Sequence, residues 1–199
     1  MNILFNWIVE NYIELIGVIS GILGVWLTAR QNIWCWPIGL INVALYIYIF
    51  YIAKLYADFG INLFYFFVTI YGWYCWLYGG KNHTPEVVCK IKKIHILLHL
   101  LIGTVSFIVI GFFLEKYTQD PFPYWDSLLS VWGVLGTYMM AKKQIENWIV
   151  WIIVDLNYIF MYFLKELYPT TILYLIFTIL AVYGYFEWKK DLRKIEVTV

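Results

Sequence analysis

The chain has 199 residues, 63% of them hydrophobic and 14% charged, with a mean hydropathy of +0.73. Water-soluble domains run at about 25% charged, so a free-standing soluble domain is excluded, and an aromatic share of 22% excludes disorder. A net charge of +1 gives no basic footprint for nucleic acid.

In chain order, apolar runs bounded by charges or turn residues predict helices over 12–29, 33–52, 59–78, 94–114, 126–141, 147–164 and 169–187. At about 20 residues per crossing, these are seven membrane spans in one all-α transmembrane domain, 1–199. No positive leader or cleavage site precedes the first run, so it is expected to remain as a helix. Pro37 falls in the first turns of the second span, where it would also kink the helix, Pro121 and Pro123 precede the fifth, and Pro169 opens the seventh. Asp126 and Asn147 are expected to cap the fifth and sixth. Eleven of the fourteen Lys and Arg fall in the connections after spans one, three and five and in the C-terminal tail. The positive-inside rule therefore predicts an outside N-terminus and a cytoplasmic C-terminus. Cys35, Cys75 and Cys89 then lie near the reducing side, too few and scattered for a disulfide framework or a zinc site.

Residues 21–76 laid over 133–188, at a constant offset of 112, give fifteen identities in fifty-six positions. They include Gly21 with Gly133, Gly24 with Gly136, Trp36 with Trp148, Tyr46 with Tyr158, Leu55 with Leu167, Gly72 with Gly184 and Trp76 with Trp188. Chance agreement among Ile and Leu does not explain Trp, Tyr and Gly aligned at one offset. The expected organisation is a repeat over 12–78, a linking helix over 94–114 and a second repeat over 126–187. The single linking helix restores the direction of the second unit, so the repeats are parallel about an axis along the membrane normal. Such repeats characterise transporters, with the substrate site at their interface.

Span six carries Trp148, Trp151, Asp155, Tyr158 and Tyr162 at 3, 4, 3, 4 spacing, which puts them on one helical face. A carboxylate at the centre of a bilayer costs about 2.5–3.5 kcal/mol even on a permissive scale, so Asp155 is expected to face the bundle interior, as a substrate contact or as a protonated helix-to-helix donor. Asn157 lies about 200° around the helix from it and is read as a bond to a neighbouring helix or as an inward group. Span two has the matching face Trp36, Gly39, Asn42 and Tyr46, and Asn42 falls one position from the equivalent of Asp155. Trp132 and Tyr138 in span five are candidates for a cavity wall or for lipid-facing positions. Asn62, Tyr65, Thr69, Trp73 and Trp76 in span three read as packing with an interfacial belt, and Gly17, Gly21, Gly24, Gly133 and Gly136 as close helix approach. His95 and His99 have a metal-compatible spacing and no third ligand, and are read as interfacial beside Lys92 and Lys93. No H-E-x-x-H motif, paired intramembrane acids or nucleophile with a histidine is present, so neither an enzyme nor a bound cofactor or metal is expected.

The stretches Trp36-Pro37-Ile38-Gly39-Leu40-Ile41-Asn42, Tyr71-Gly72-Trp73-Tyr74-Cys75-Trp76, Pro123-Tyr124-Trp125-Asp126-Ser127 and Glu146-Asn147-Trp148-Ile149-Val150-Trp151 resemble the PnuC family of bacterial vitamin transporters. The resemblance covers nearly the whole chain. It implies a 3+1+3 fold similar to the SWEET transporters, a homotrimer in the bacterial inner membrane and facilitated diffusion. The vitamin, nicotinamide riboside first and thiamine or riboflavin as alternatives, would be trapped by cytoplasmic phosphorylation. The substrate-lining positions it implies map onto Asn42, Trp132, Tyr138, Asp155 and Asn157, with Trp151 nearby. A non-transporting membrane receptor or scaffold is the competing class.

Overall fold

The computed structural model describes residues 12–52, 54 and 56–198 and is all-helical there. Seven α-helices follow one another: α1 Tyr12–Ala29, α2 Cys35–Ile52, α3 Tyr56–Tyr78, α4 Lys93–Tyr117, α5 Pro123–Ala141, α6 Asn147–Leu164 and α7 Tyr168–Thr198, with a 3₁₀ turn at Lys81–His83. Among them α2, α4, α6 and the Tyr168–Lys194 part of α7 are both long and apolar enough to cross a bilayer, and Leu15–Ala29 is a shorter apolar stretch. The remaining two, α3 and α5, have 23 and 19 residues and less apolar sequences.

Local chemistry sets the ends. Pro123 opens α5, where a missing N–H is no loss. Asp126 is not the cap expected of it: it lies inside the first turn and meets Lys165 at 3.4 Å. Asn147 likewise is the first residue of α6 and donates from Nδ2 to the Gln144 carbonyl at 2.6 Å. Pro37 sits in the first turn of α2, which runs unbroken from Cys35 to Ile52. The helices α1 and α5 close on the same turn. Gln31 (φ 53°) and Lys143 (φ 46°) adopt the left-handed conformation. Gln31 N–H then reaches Thr28 O and Asn32 N–H reaches Leu27 O, each at 2.9 Å; Lys143 N–H reaches Met140 O and Gln144 N–H reaches Met139 O, each at 3.0 Å. This is the Schellman closure, made without glycine. Lys54 and Glu166, both at φ 58°, also stand 112 residues apart, after α2 and α6. Leu55, one of the paired identities, lies outside the described residues, as do the N-terminal residues before Tyr12.

Packing is sequential and closes on itself: α2 lies between α1 and α3, α6 lies between α5 and α7, and the contacts α3–α5 and α1–α7 complete a ring of six helices. The helix α4 packs on α5 outside that ring, with Gly103 against Trp132 and Gly111 against Tyr124. The connections after α1, α3 and α5 and the α7 continuation meet at one end of the bundle. Lys143 donates to Gln31, Gln31 to Asp191, and the segment through Cys89 pairs with the α5–α6 turn. Eight aromatic and aliphatic side chains of the main buried cluster, Trp36, Trp76, Trp148, Trp188, Leu27, Val88, Ile145 and Leu192, fill this end.

Candidate functional site: an aromatic cavity along the bundle axis

The ring of six helices encloses a cavity of about 960 Å³, at the upper end of the range for small-molecule sites, roughly 300–1,000 Å³. Five of its lining residues are Trp148, Trp151, Asp155, Tyr158 and Tyr162, the whole face that 3, 4, 3, 4 spacing predicts on α6. The α2 face of Trp36, Gly39, Asn42 and Tyr46 lines it from the other side. Six helices contribute, and α4 contributes nothing.

At the end rich in connections the cavity stops on a floor of tryptophans. Trp36 and Trp76 meet edge to face with centroids 5.4 Å apart, Trp148 and Trp188 do the same at 5.4 Å, and Trp76 meets Trp188 at 6.0 Å. All four are at most 4% exposed. Gly72 and Gly184 make room for them, because a Cβ at either position would run into the Trp36 or Trp148 ring. The opposite end is lined by Phe50, Asp58, Tyr162 and Pro169, of which Asp58 and Pro169 are exposed. The mouth is therefore at that end.

Asp155, midway along α6, is 3% exposed and has no hydrogen bond or ion pair among the described residues. Its electrostatic neighbours are Tyr65 and Tyr174. A ladder of rings stands beside it: Tyr158 and Tyr174 at 4.6 Å, Tyr162 and Tyr174 at 5.4 Å, Tyr158 and Tyr162 at 5.7 Å. The cavity lining includes two carboxylates, Asp58 and Asp155, and no Lys, Arg or His among the described residues. Aromatic faces and an unpaired carboxylate in an enclosed space attract an organic cation, each well-placed ring by about 0.5–2 kcal/mol.

Of the six residues singled out from the sequence, three come together here: Asn42, Trp151 and Asp155. The other three stand off the cavity. Trp132 packs between α5 and α4, with Gly103 beneath its ring. Tyr138 stacks on Tyr71 at 6.0 Å and meets His99 edge to face at 5.8 Å. Asn157 bonds its own helix, donating to the Ile153 carbonyl at 2.8 Å, because a short amide satisfies itself on the carbonyl one turn back. Asn42 spends its donor on the neighbouring helix, to Gly17 O at 2.6 Å and Ser20 Oγ at 3.0 Å, leaving its carbonyl oxygen for a ligand.

Tyr65 and Tyr174 are among the lining residues the sequence did not single out for a site. Tyr65 belongs to the span-three stripe read as packing, yet Asn62, Tyr65 and Thr69 of that stripe all face the cavity. The signal available was Gly133, whose missing Cβ makes way for the Tyr65 hydroxyl. The glycines read as close helix approach mostly face side chains instead: Gly17 meets Tyr46, Gly21 meets Phe177 and Gly136 meets Trp151. His99 is buried rather than interfacial, and no metal-binding group of His, Cys, Asp or Glu occurs among the described residues.

Comparison with known proteins gives this architecture a family. Residues 11–190 match the family model described as nicotinamide mononucleotide transporter. The nicotinamide riboside transporter PnuC of Escherichia coli K12 is 28% identical, over 92% of this chain and 87% of its own. The riboflavin/roseoflavin transporter RibM of Streptomyces davaonensis is 24% identical, over 88% and 83%. A crystal structure of the vitamin B3 transporter PnuC superposes with a TM-score of 0.75 at 24% identity, covering 96% of this chain and 86% of that one, a likeness of fold. A chain matched by the family model along most of its length and folded as a closed ring of apolar helices is a multi-pass membrane protein that belongs to the PnuC transporter family.

Proposed function

We propose that the chain is a facilitative uptake carrier for nicotinamide riboside, binding it in the axial cavity through Asn42, Trp151 and Asp155. The observation that carries this reading is the unpartnered Asp155 carboxylate in a ring-lined cavity without a basic residue among its described lining. Nicotinamide riboside has a cationic pyridinium ring, a carboxamide and ribose hydroxyls. Its ring charge answers Asp155, its flat face answers Trp151 and the Tyr158–Tyr174 ladder, and its donors answer the free oxygen of Asn42. Riboflavin, which the Streptomyces relative is named for, has a neutral ring system and would leave the carboxylate desolvated and unpaired, at a cost of several kcal/mol.

The same reading holds that all seven helices span the inner membrane as two parallel three-helix repeats, 12–78 and 126–187, joined by α4 in a SWEET-like 3+1+3 order. The matched turns at Gln31 and Lys143 support it. The connection-rich end faces the cytoplasm, where most Lys and Arg lie, and the mouth beside Asp58 faces outward. Three protomers assemble with one path each, and phosphorylation inside the cell removes the product, so no ion gradient is needed.

The test is flux into liposomes holding the purified protein, with no ion gradient and with nicotinamide riboside, thiamine and riboflavin offered separately. Nicotinamide riboside should equilibrate down its gradient, faster than either other vitamin. Preference for thiamine would reassign the substrate within the organic cations, preference for riboflavin would overturn the role of Asp155, and saturable binding without flux would make the protein a receptor.

A further inference from the structure

The end of the cavity that carries the tryptophan floor is held by ties that come in crossed pairs. Trp76 Nε1 on α3 donates to the Met140 carbonyl on α5 at 3.0 Å, and Trp188 Nε1 on α7 donates to the Thr28 carbonyl on α1 at 3.1 Å. Donor and acceptor numbers each differ by 112. Both acceptors sit in the last turn of their helix and already take the N–H of Gln31 or Lys143, so each indole uses the second lone pair of a carbonyl at a helix terminus. Around them lies a second pair at the same offset. Arg30 Nη1 donates to the Tyr183 hydroxyl at 3.1 Å, and Lys142 stands 5.2 Å from the Tyr71 ring centre. On the axis the two equivalent turn residues meet each other: Lys143 Nζ donates to Gln31 Oε1 at 3.1 Å, above the Trp76 ring at 4.5 Å.

Every one of these ties joins the first three helices to the last three. We propose that this crossed set, Trp76 to Met140, Trp188 to Thr28 and Lys143 to Gln31, is the inner gate of the transport path, and that its two halves open together. The proposal rests on the carrier reading above for its purpose, and on the geometry for its location. Concerted opening follows from placement. The α3–α5 and α1–α7 contacts are the two seams of the ring, and each seam carries one indole bond. Releasing one alone leaves the other seam and the central Lys143–Gln31 bond still holding the floor shut.

Cys35 supplies a native reporter, since it lines the cavity beside Trp36 and is 5% exposed. With Cys75→Ala and Cys89→Ala making it the only thiol, a membrane-impermeant maleimide is applied to the connection-rich face alone. Trp76→Phe with Trp188→Phe keeps the rings and removes both donors. Cys35 should then label roughly thirtyfold faster than in the parent, the equivalent of two net hydrogen bonds at about 1 kcal/mol each, and each single variant should change it much less. Equal labelling in parent and double variant overturns the gate. Single variants that each reach the full rate overturn concerted opening.

A second measurement does not depend on those variants. Gln31→Cys with Lys143→Cys, in a chain whose three native cysteines are alanine, is bridged by a bis-methanethiosulfonate reagent. Nicotinamide riboside flux should stop on bridging and return on reduction, whereas undiminished flux through the bridged protein overturns the assignment. If the unbridged parent carries no vitamin at all, the carrier reading fails, and the labelling arm still decides whether this end opens as described.

Discussion

At the floor of the cavity Trp36 and Trp148 press on Gly72 and Gly184 in the same manner, whereas midway along the walls the equivalent positions 43 and 155 hold a valine and an aspartate. The same contrast recurs nearby. Gly21 faces Phe177 and Gly133 faces Tyr65, two equivalent contacts that differ by one hydroxyl. Asn42 lines the cavity while its equivalent Val154 is buried against Leu129 and Met161. Positions that shape the backbone or fill the floor match between the halves. Along the walls Tyr46 and Tyr158 match as well, whereas Gly39 and Trp151, or Val43 and Asp155, do not, and the mid-wall carboxylate belongs to the second half. Midway along the axis a solute is therefore met by Val43 from one side and by Asp155 from the other, a difference that would orient it.

The largest expected effect breaks that asymmetry. Asp155→Asn removes the charge and keeps the shape, and should weaken binding of nicotinamide riboside by roughly ten- to a hundredfold, the range for a hydrogen bond or contact to a charged group. Asn42→Ala, which removes no charge, should cost only a few-fold in the same titration, since its amide donor is spent on α1. Equal losses would show that the halves contribute alike and that the carboxylate does not set the preference.

Next in size is a test of the matched frame. Gly72→Ala and Gly184→Ala each push a Cβ into a buried indole, and overpacking of this kind costs about 1–3 kcal/mol. The two variants should lose thermal stability by the same amount in detergent. Gly60→Ala in α3, where a Cβ meets nothing within 4 Å, should be neutral or slightly stabilising, as helix propensity favours alanine by up to about 1 kcal/mol. A large difference between the first two would mean that the matched geometry is not matched energetically.

A smaller effect separates the expected site residues that line the cavity from those that stand off it. Trp151→Ala should weaken binding more than Trp132→Ala, which should lower stability by opening the α4–α5 contact while leaving affinity within about twofold, the scatter expected of a site without contact. The helices and nearly all their ends were legible because apolar runs, prolines and charges mark them. The α6 face was legible because one side of that helix meets the cavity and the other meets lipid or α7, so the 3, 4, 3, 4 spacing has one interpretation. The helix α5 has no such polarity. Ser127, Leu129, Val131, Gly133, Leu135, Thr137 and Met139 are buried all around it, because α4 covers the side that the ring leaves free, and no periodicity tells Trp132 which partner it faces. Tyr65 and Tyr174 were hidden for a related reason. Their helices point inward only because α3 meets α5 and α7 meets α1 to close the ring, and those contacts join residues far apart in sequence.

The smallest effect concerns a segment that has no counterpart in the second half. Residues 84–92 run back across the floor as a strap: Val88 is buried among the tryptophans, Cys89 N–H bonds Lys143 O at 3.0 Å, and Ile91 N–H bonds Glu146 Oε2 at 3.0 Å. At the corresponding place in the second half α7 itself runs on as helix to Thr198. Glu86 in the strap is partly buried, and burial raises its pKa against the partial relief given by Lys142 and Lys143. A carboxyl raised in the folded state contributes stability that is fully present below its unfolded value, about 4.3, and lost as pH rises through the folded value. The melting temperature of the parent should therefore fall relative to Glu86→Gln over that window and run parallel to it at higher pH. Coincident curves at every pH would show that the strap's carboxylate is fully solvated, and that the floor is held by the crossed ties without help from the one segment that breaks their symmetry.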